Sequence, residues 1–401
     1  MTGSRVYGFG AAERRQRSGV GGPFRLIIRP PAVRTFLFLA FLFPPSPLSG
    51  QTNPKFNVQL RVDYSAAERC IELFQDQPVS TQALVDLRGN RIAASTTGLI
   101  AGRGSVAEEL KGYLDSLKYH EIIRDDIYHL ESARQNATEI KRLLDEMEKR
   151  NFGRKVVATV EQIFPADGDV SITVPVYVVA LGHENADAYV RRIQWDGDVP
   201  KFLGEGEGEL TIVVNLSQSV KYGGDLQERY VTLLGVVAHE LFHAAFGAYK
   251  DQSKRWQRYY KTHQRAFDQL LDLTQNEGIA YYLSLDQRGH GYLPRDWNSR
   301  TREAIVSFNR NAAELLSENL TPQRASELLR TANLSGYWDS YGSMAGMFIA
   351  REIDQQLGRS ALIETISAGP SDLFGKYILL TERDSNLPKL SELLNRQIRG
   401  K

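Results

Sequence analysis

The stretch VVAHELFHAAF, residues 236–246, decides how this chain is read, because it holds two histidines four positions apart with a glutamate directly after the first. On a helix, residues four apart lie about one turn along the same face, so the imidazoles of His239 and His243 can meet on one metal ion. Glu240 is turned away from that shared face and reaches toward a water beside the ion rather than the ion itself. The flanking Val236, Val237, Ala238, Leu241, Phe242, Ala244 and Ala245 are all uncharged. The helix can therefore be buried with no stranded charge competing for the metal. Spacing and context together predict a buried helix carrying one zinc site of the HExxH type.

A catalytic zinc ion takes three protein ligands and keeps one position open, so a third ligand is needed. The solution with Gly at 246 and His at 249 is excluded, since those positions are Phe246 and Tyr249. Asp339, in GYWDSYG (residues 336–342), is a distant second choice. Between His243 and Glu303 the chain has a single glutamate, Glu277, within NEGIA (residues 276–280). It begins the apolar run IAYYLSL, where an antiparallel helix would bring it beside the two imidazoles.

On these residues the chain resembles the gluzincin metallopeptidases, and more specifically bacterial zinc-dependent peptidases that combine HExxH with a later NEG motif. The likeness covers about residues 230–358. It implies a zincin-like fold, Zn2+ held by His239, His243 and Glu277, Glu240 as general base, and a peptide or protein substrate. Such sites commonly draw a donor for the developing oxyanion from the C-terminal lobe, which makes Tyr337 and Tyr341 candidates. Packing at the start of a Gly- and Ala-rich helix is the competing reading of both tyrosines. In zincins an edge strand before the motif helix pairs with extended substrate, a role open to TIVVNLS, residues 211–217. The best-known gluzincins place an Asp four residues after the ligand Glu to orient a ligand His, whereas this chain has Tyr281. Asp268, Asp272 and Asn276 are the possible replacements.

Outward from the motif, helical periodicity runs from about residue 225 to the C-terminus, and again from about 57 to 150 in segments such as ATEIKRLLDEMEKR. Between them KVVATVEQIF, VSITVPVYVVAL and ELTIVVNLS are rich in Val, Ile and Thr and predict three strands. The expected architecture is α+β and predominantly helical, a small sheet beside a helical bundle. It divides into a leader over 1–50, a helical region over 51–152, a sheet region over 153–220 and a helical catalytic region over 221–401.

The balance of 49 Lys and Arg against 48 Asp and Glu leaves no global field to draw a polyanion, so nucleic acid is not an expected partner. One cysteine, Cys70, rules out an internal disulfide and any multi-cysteine metal cluster; it reads as a small buried hydrophobe. The remaining histidines, at 120, 129, 183, 263 and 290, stand singly and read as surface or satisfied core residues.

Near the N-terminus FLFLAFLF (residues 36–43) is followed by PPSPLSGQ, a secretory leader rather than a spanning helix, because the apolar run falls far short of the roughly 20 residues a span needs. The expectation is an exported protein, periplasmic or secreted, with no stable membrane span after leader removal; a mis-assigned start would make it cytoplasmic. Two readings of other classes stand beside the enzyme: a zincin-fold binding protein without activity, and an exported helical interaction protein in which HExxH is accidental. HExxH specifies the water and not the substrate, so a non-peptide amide or ester also fits.

Overall fold

The structure is a computed structural model and describes residues 56–103, 107–166, 168–203, 208–287, 296–333 and 340–400. The leader therefore lies outside the described residues, as do Tyr337, Asp339 and His290.

Strand β1 (Phe56–Asp63) precedes α1 (Ser65–Phe74), α2 (Thr81–Asp86), α3 (Arg88–Ile100), α4 (Ala107–Lys118), α5 (Leu130–Gln135), α6 (Ala137–Lys149) and α7 (Phe152–Glu161). Then come β2 (Val170–Val179), β3 (Ala188–Asp196), β4 (Val199–Leu203), β5 (Glu209–Asn215) and α8 (Leu216–Ser219). The C-terminal half is helical: α9 (Leu226–Gln252), α10 (Lys254–Thr262), α11 (Ala266–Gln287), α12 (Trp297–Leu315), α13 (Pro322–Ala332), α14 (Tyr341–Leu357), α15 (Arg359–Ala368), α16 (Pro370–Arg383) and α17 (Glu392–Arg399). The protein is thus α+β and mostly helical, with one mixed five-stranded sheet among the described residues.

The sheet order is β1-β2-β5-β3-β4. The first three strands are parallel, with Phe56 opposite Val170 and Val176 opposite Ile212. The hairpin β3–β4 joins antiparallel, with Ala188 opposite Val214. Its two-residue turn places Gly197 at φ 58°, a conformation that favours glycine. The second half of β2 is nearly all buried, as the apolar run VPVYVV requires of a strand covered on both faces.

Three local expectations are corrected. KVVATVEQIF, read as a strand, belongs largely to helix α7. Its buried residues Phe152, Val156 and Val160 recur every four positions, so the helical period and packing override the strand preference of its valines. There α7 lies close on β1, where a Cβ at Gly153 would come 3.0 Å from the Val62 side chain. Second, the region 51–152 is not purely helical, because β1 alternates exposed Asn57, Gln59, Arg61 and Asp63 with buried or half-buried Phe56, Val58, Leu60 and Val62. Third, β5 is no edge strand: over Ile212–Val214 it pairs with β2 on one side and β3 on the other, which leaves that stretch no side on which to add a peptide strand.

From β5 the chain passes through α8 into α9, whose start is capped by Asp225 accepting from the Glu228 amide at 2.8 Å. This helix is long and apolar enough to cross a membrane, yet most of it is buried. It packs on the sheet and on α7 and α11, its Phe242 ring lying 5.7 Å from that of Phe164. The apolar flanks of HELFH therefore serve the core.

Candidate metal centre

Helix α11 returns antiparallel along α9, and the contacts between them fix a register. Ser284 Oγ donates to the Gly235 carbonyl (2.9 Å), the His239 ring bonds to the Ala280 backbone, His243 Nδ1 meets Asn276 Oδ1 (3.2 Å), and Lys250 Nζ donates to Asp272 (2.5 Å). One number rises as the other falls. At the upper end the backbones nearly touch, since a Cβ at Gly235 would come 3.2 Å from the Ser284 carbonyl oxygen. On its other side α11 crosses α14 still more closely: a Cβ on Gly278 would lie 2.2 Å from the Gly346 carbonyl carbon. Glycine at 278 is thus required by close approach, and the residue before it, Glu277, is set against the α9 histidines.

The result is a compact triad. His243 Nε2 lies 3.0 Å from His239 Nε2 and 3.3 Å from Glu277 Oε2, and the His239 Nε2 to Glu277 Oε2 distance is 3.7 Å. Nitrogen and oxygen ligands at ordinary bond lengths from a tetrahedral zinc sit roughly 3.3–3.5 Å from one another. The observed triangle brackets that value, so the residues fit a zinc ion. Among the described residues this is the one group of three His, Cys, Asp or Glu side chains close enough to hold a metal.

Electrostatics agree with geometry. Burial drives the His239 imidazole down to about 3, aided by His243 and opposed by Glu277. His243 also loses solvent, but the charge and hydrogen bond of Glu277 outweigh that loss and push it up to about 9. Glu277 in turn is held down to about 2, against its own burial, by His243, His239 and Asn333. Three lone-pair donors thus converge on a place that favours one positive charge, and a proton on His243 stands in for a cation there.

The chain matches, over residues 84–386, the model of a family described as "Putative zinc dependent peptidase (DUF5700)". The chain belongs to this family. That match covers more than half of the sequence and includes the whole triad. Neither the curated proteins nor the solved structures contain a match.

Of Asp268, Asp272 and Asn276, the structure brings Asn276 to His243. With Nε2 turned to the triad, Nδ1 is the ring nitrogen that donates to the Asn276 carbonyl oxygen, in the protonated and the neutral ring alike. Asp268 is instead bound by Arg265, and Asp272 by Lys250 and the Tyr260 hydroxyl. Tyr281 places its ring edgewise on His239, with centroids 4.6 Å apart.

Glu240 is half-buried and, among the described residues, makes no hydrogen bond or ion pair. Burial raises its carboxyl to about 7; His243 opposes this, and Glu277 and Asp187 add to it. Asp187, just before β3, is bonded by the Tyr222 hydroxyl at 2.9 Å.

Tyr341 does not meet the expectation of an oxyanion donor in this structure. Its hydroxyl donates to the Leu328 carbonyl at 2.9 Å, its ring packs on Phe308, and the groups around it are Asn311, Glu314 and Arg324 of α12 and α13. Packing wins at this position because the Leu328 carbonyl, near the end of α13, has a second lone pair to offer beside the one that accepts from the Thr331 hydroxyl at 3.0 Å. Sequence reasoning missed two residues at the site, Asp187 and Asn333. Asn333, at the end of α13, donates from Nδ2 to Glu277 Oε1 at 2.7 Å. A polar residue ending a helix is too common to mark such a contact.

Proposed function

We propose that this protein is a gluzincin-type zinc metallopeptidase with a zincin-like catalytic half, in which His239, His243 and Glu277 hold the metal and Glu240 is the general base. The observation that carries the reading is the triangle of 3.0, 3.3 and 3.7 Å between three ligand atoms on two antiparallel helices. Zinc bound there supplies Lewis acidity toward water and a substrate carbonyl. The remaining work falls to the chain. Asn276 and the Ala280 backbone hold the two imidazoles with Nε2 facing inward. Glu240, one position past His239 and without a protein partner among the described residues, takes a proton from the attacking water and delivers it to the leaving nitrogen. Its raised carboxyl sits near neutral pH, where such a group both accepts and returns a proton. In this reading the protein is exported, periplasmic or secreted, and N-terminal sequencing of the secreted form tests it.

The deciding experiment is Glu240→Gln, which keeps the shape and removes the base. Zinc content, measured as metal per chain, is expected to stay at one while peptide hydrolysis falls roughly 100-fold or more. Hydrolysis at the parent rate would reject Glu240 as the base. In the same preparation Glu277→Ala is expected to lose the metal, and full zinc content there would reject the ligand set.

A further inference from the structure

Glu277 presents its two oxygens to different neighbours. Oε2 faces His239 and His243, at 3.7 and 3.3 Å, while Oε1 accepts from Asn333 Nδ2 at 2.7 Å. Asn333 is itself held: its Oδ1 accepts from Ser343 Oγ at 3.2 Å, in the first turn of α14, and Ser343 is fully buried. The chain of bonds fixes the amide's orientation, because a carboxylate only accepts and so must face the NH2 group. Three separate elements, α14, the end of α13 and α11, thus meet in one line that ends on the ligand.

We propose that Asn333, anchored by Ser343, is a positioning residue that keeps Glu277 bound to the metal through Oε2 alone and thereby sets the affinity and coordination number of the site. The inference rests on the zinc reading above. The last torsion of a glutamate is broad and roughly two-fold, so a carboxylate with no partner on its outer oxygen turns readily. Turned, it offers both oxygens to the same ion and favours a higher coordination number than the tetrahedral arrangement zinc prefers. The Asn333 amide makes a charge-assisted hydrogen bond that holds Oε1 outward. Because Asn333 is exposed, its truncation leaves no cavity in the core.

The test compares parent, Asn333→Ala, Ser343→Ala and His243→Ala proteins by zinc competition against a chelating dye and by the visible spectrum of the cobalt-substituted form. Asn333→Ala is expected to bind zinc 10–100-fold more weakly, the range for losing a partner of a ligand. Its cobalt bands are expected to lose intensity as coordination rises above four, while the metal-free melting temperature stays put. Ser343→Ala shifts both readouts in the same direction by less. A purely structural Asn333 would lower melting and leave affinity and spectrum alone. Parent-like zinc affinity and cobalt spectrum in Asn333→Ala overturn the proposal. If the parent binds no zinc, or His243→Ala binds it equally well, the zinc reading fails and this inference fails with it.

Discussion

Gly346→Ala probes whether the crossing of α11 and α14 sets the triad. The added Cβ would lie 2.0 Å from the Thr274 carbonyl oxygen and 2.9 Å from Gly278 Cα. Both are backbone atoms, so no side chain can rotate away, and ordinary contact requires that approach to open by roughly 1.5 Å. Overpacking of this kind costs about 3 kcal/mol at the upper end of its range. Alanine recovers about 1 kcal/mol of helix propensity, leaving about 2 kcal/mol and, for a chain of this length, a fall in Tm of roughly 2–4 °C. Glu277 moves with α11, and a catalytic constellation tolerates only about 0.5 Å, so zinc affinity is expected to fall about tenfold or more. Gly247→Ala, on exposed backbone of α9 with nothing within 4 Å, serves as the control and is expected to stabilise by about 0.5–1 kcal/mol. Thermal melts and zinc titration of both variants decide the matter. A Gly346→Ala protein that melts at or above the parent temperature with full zinc affinity would refute the close crossing and its role.

Three other outcomes are expected. At pH 7 the triad carries a proton, because Glu277 overcomes burial to lift His243 to about 9; zinc must displace it, so affinity drops about tenfold per unit as pH falls below 9. Titration calorimetry in buffers of different ionisation enthalpy reads the released proton, and affinity constant between pH 6 and 8 would contradict the charge reading. Cys70 is fully buried and its thiol is pushed up to about 12 by that burial, against a weak bond to Asn90, so a thiol reagent at pH 8 should label it only after unfolding. Lys250→Met strands Asp272, which among the described residues keeps only the Tyr260 hydroxyl at 2.9 Å, and is expected to cost about 3 kcal/mol in denaturant unfolding; adding Asp272→Asn should restore part of it, and a neutral single variant would show that the pair contributes nothing.

Legibility in the sequence follows the range of the interaction. The HExxH pair depends on a one-turn spacing within one helix, and Glu277 was reachable because no other glutamate lies between His243 and Glu303. β2 and β5 were visible as Val- and Ile-rich runs. By contrast, the place of β5 between β2 and β3 is a property of strand order, to which its own residues carry no reference. α7 reads as a strand because its valines suit either element, and only the four-residue recurrence of Phe152, Val156 and Val160 separates them. Asn333 is linked to Glu277 across 56 positions by a contact that exists only once α13 has docked.

The departure at Tyr281 becomes intelligible in the same terms. The resemblance implies a carboxylate four residues after the ligand glutamate, whose task is to accept from a ligand imidazole. In this chain that task is divided: Asn276, one residue before Glu277, serves His243, and the Ala280 backbone serves His239. A backbone acceptor makes no demand on side-chain identity, and Asn276 needs only the register that Gly235 and Ser284 already impose between α9 and α11. Position 281 is thereby released from accepting, and its aromatic ring packs edgewise on His239, shielding the imidazole and contributing to the desolvation that keeps it neutral, the state in which it can be a ligand. The orienting contacts have moved to other residues while their acceptor chemistry is retained, and that is why a motif search at position 281 alone would discard a chain in which His239, His243 and Glu277 converge closely enough to hold a metal.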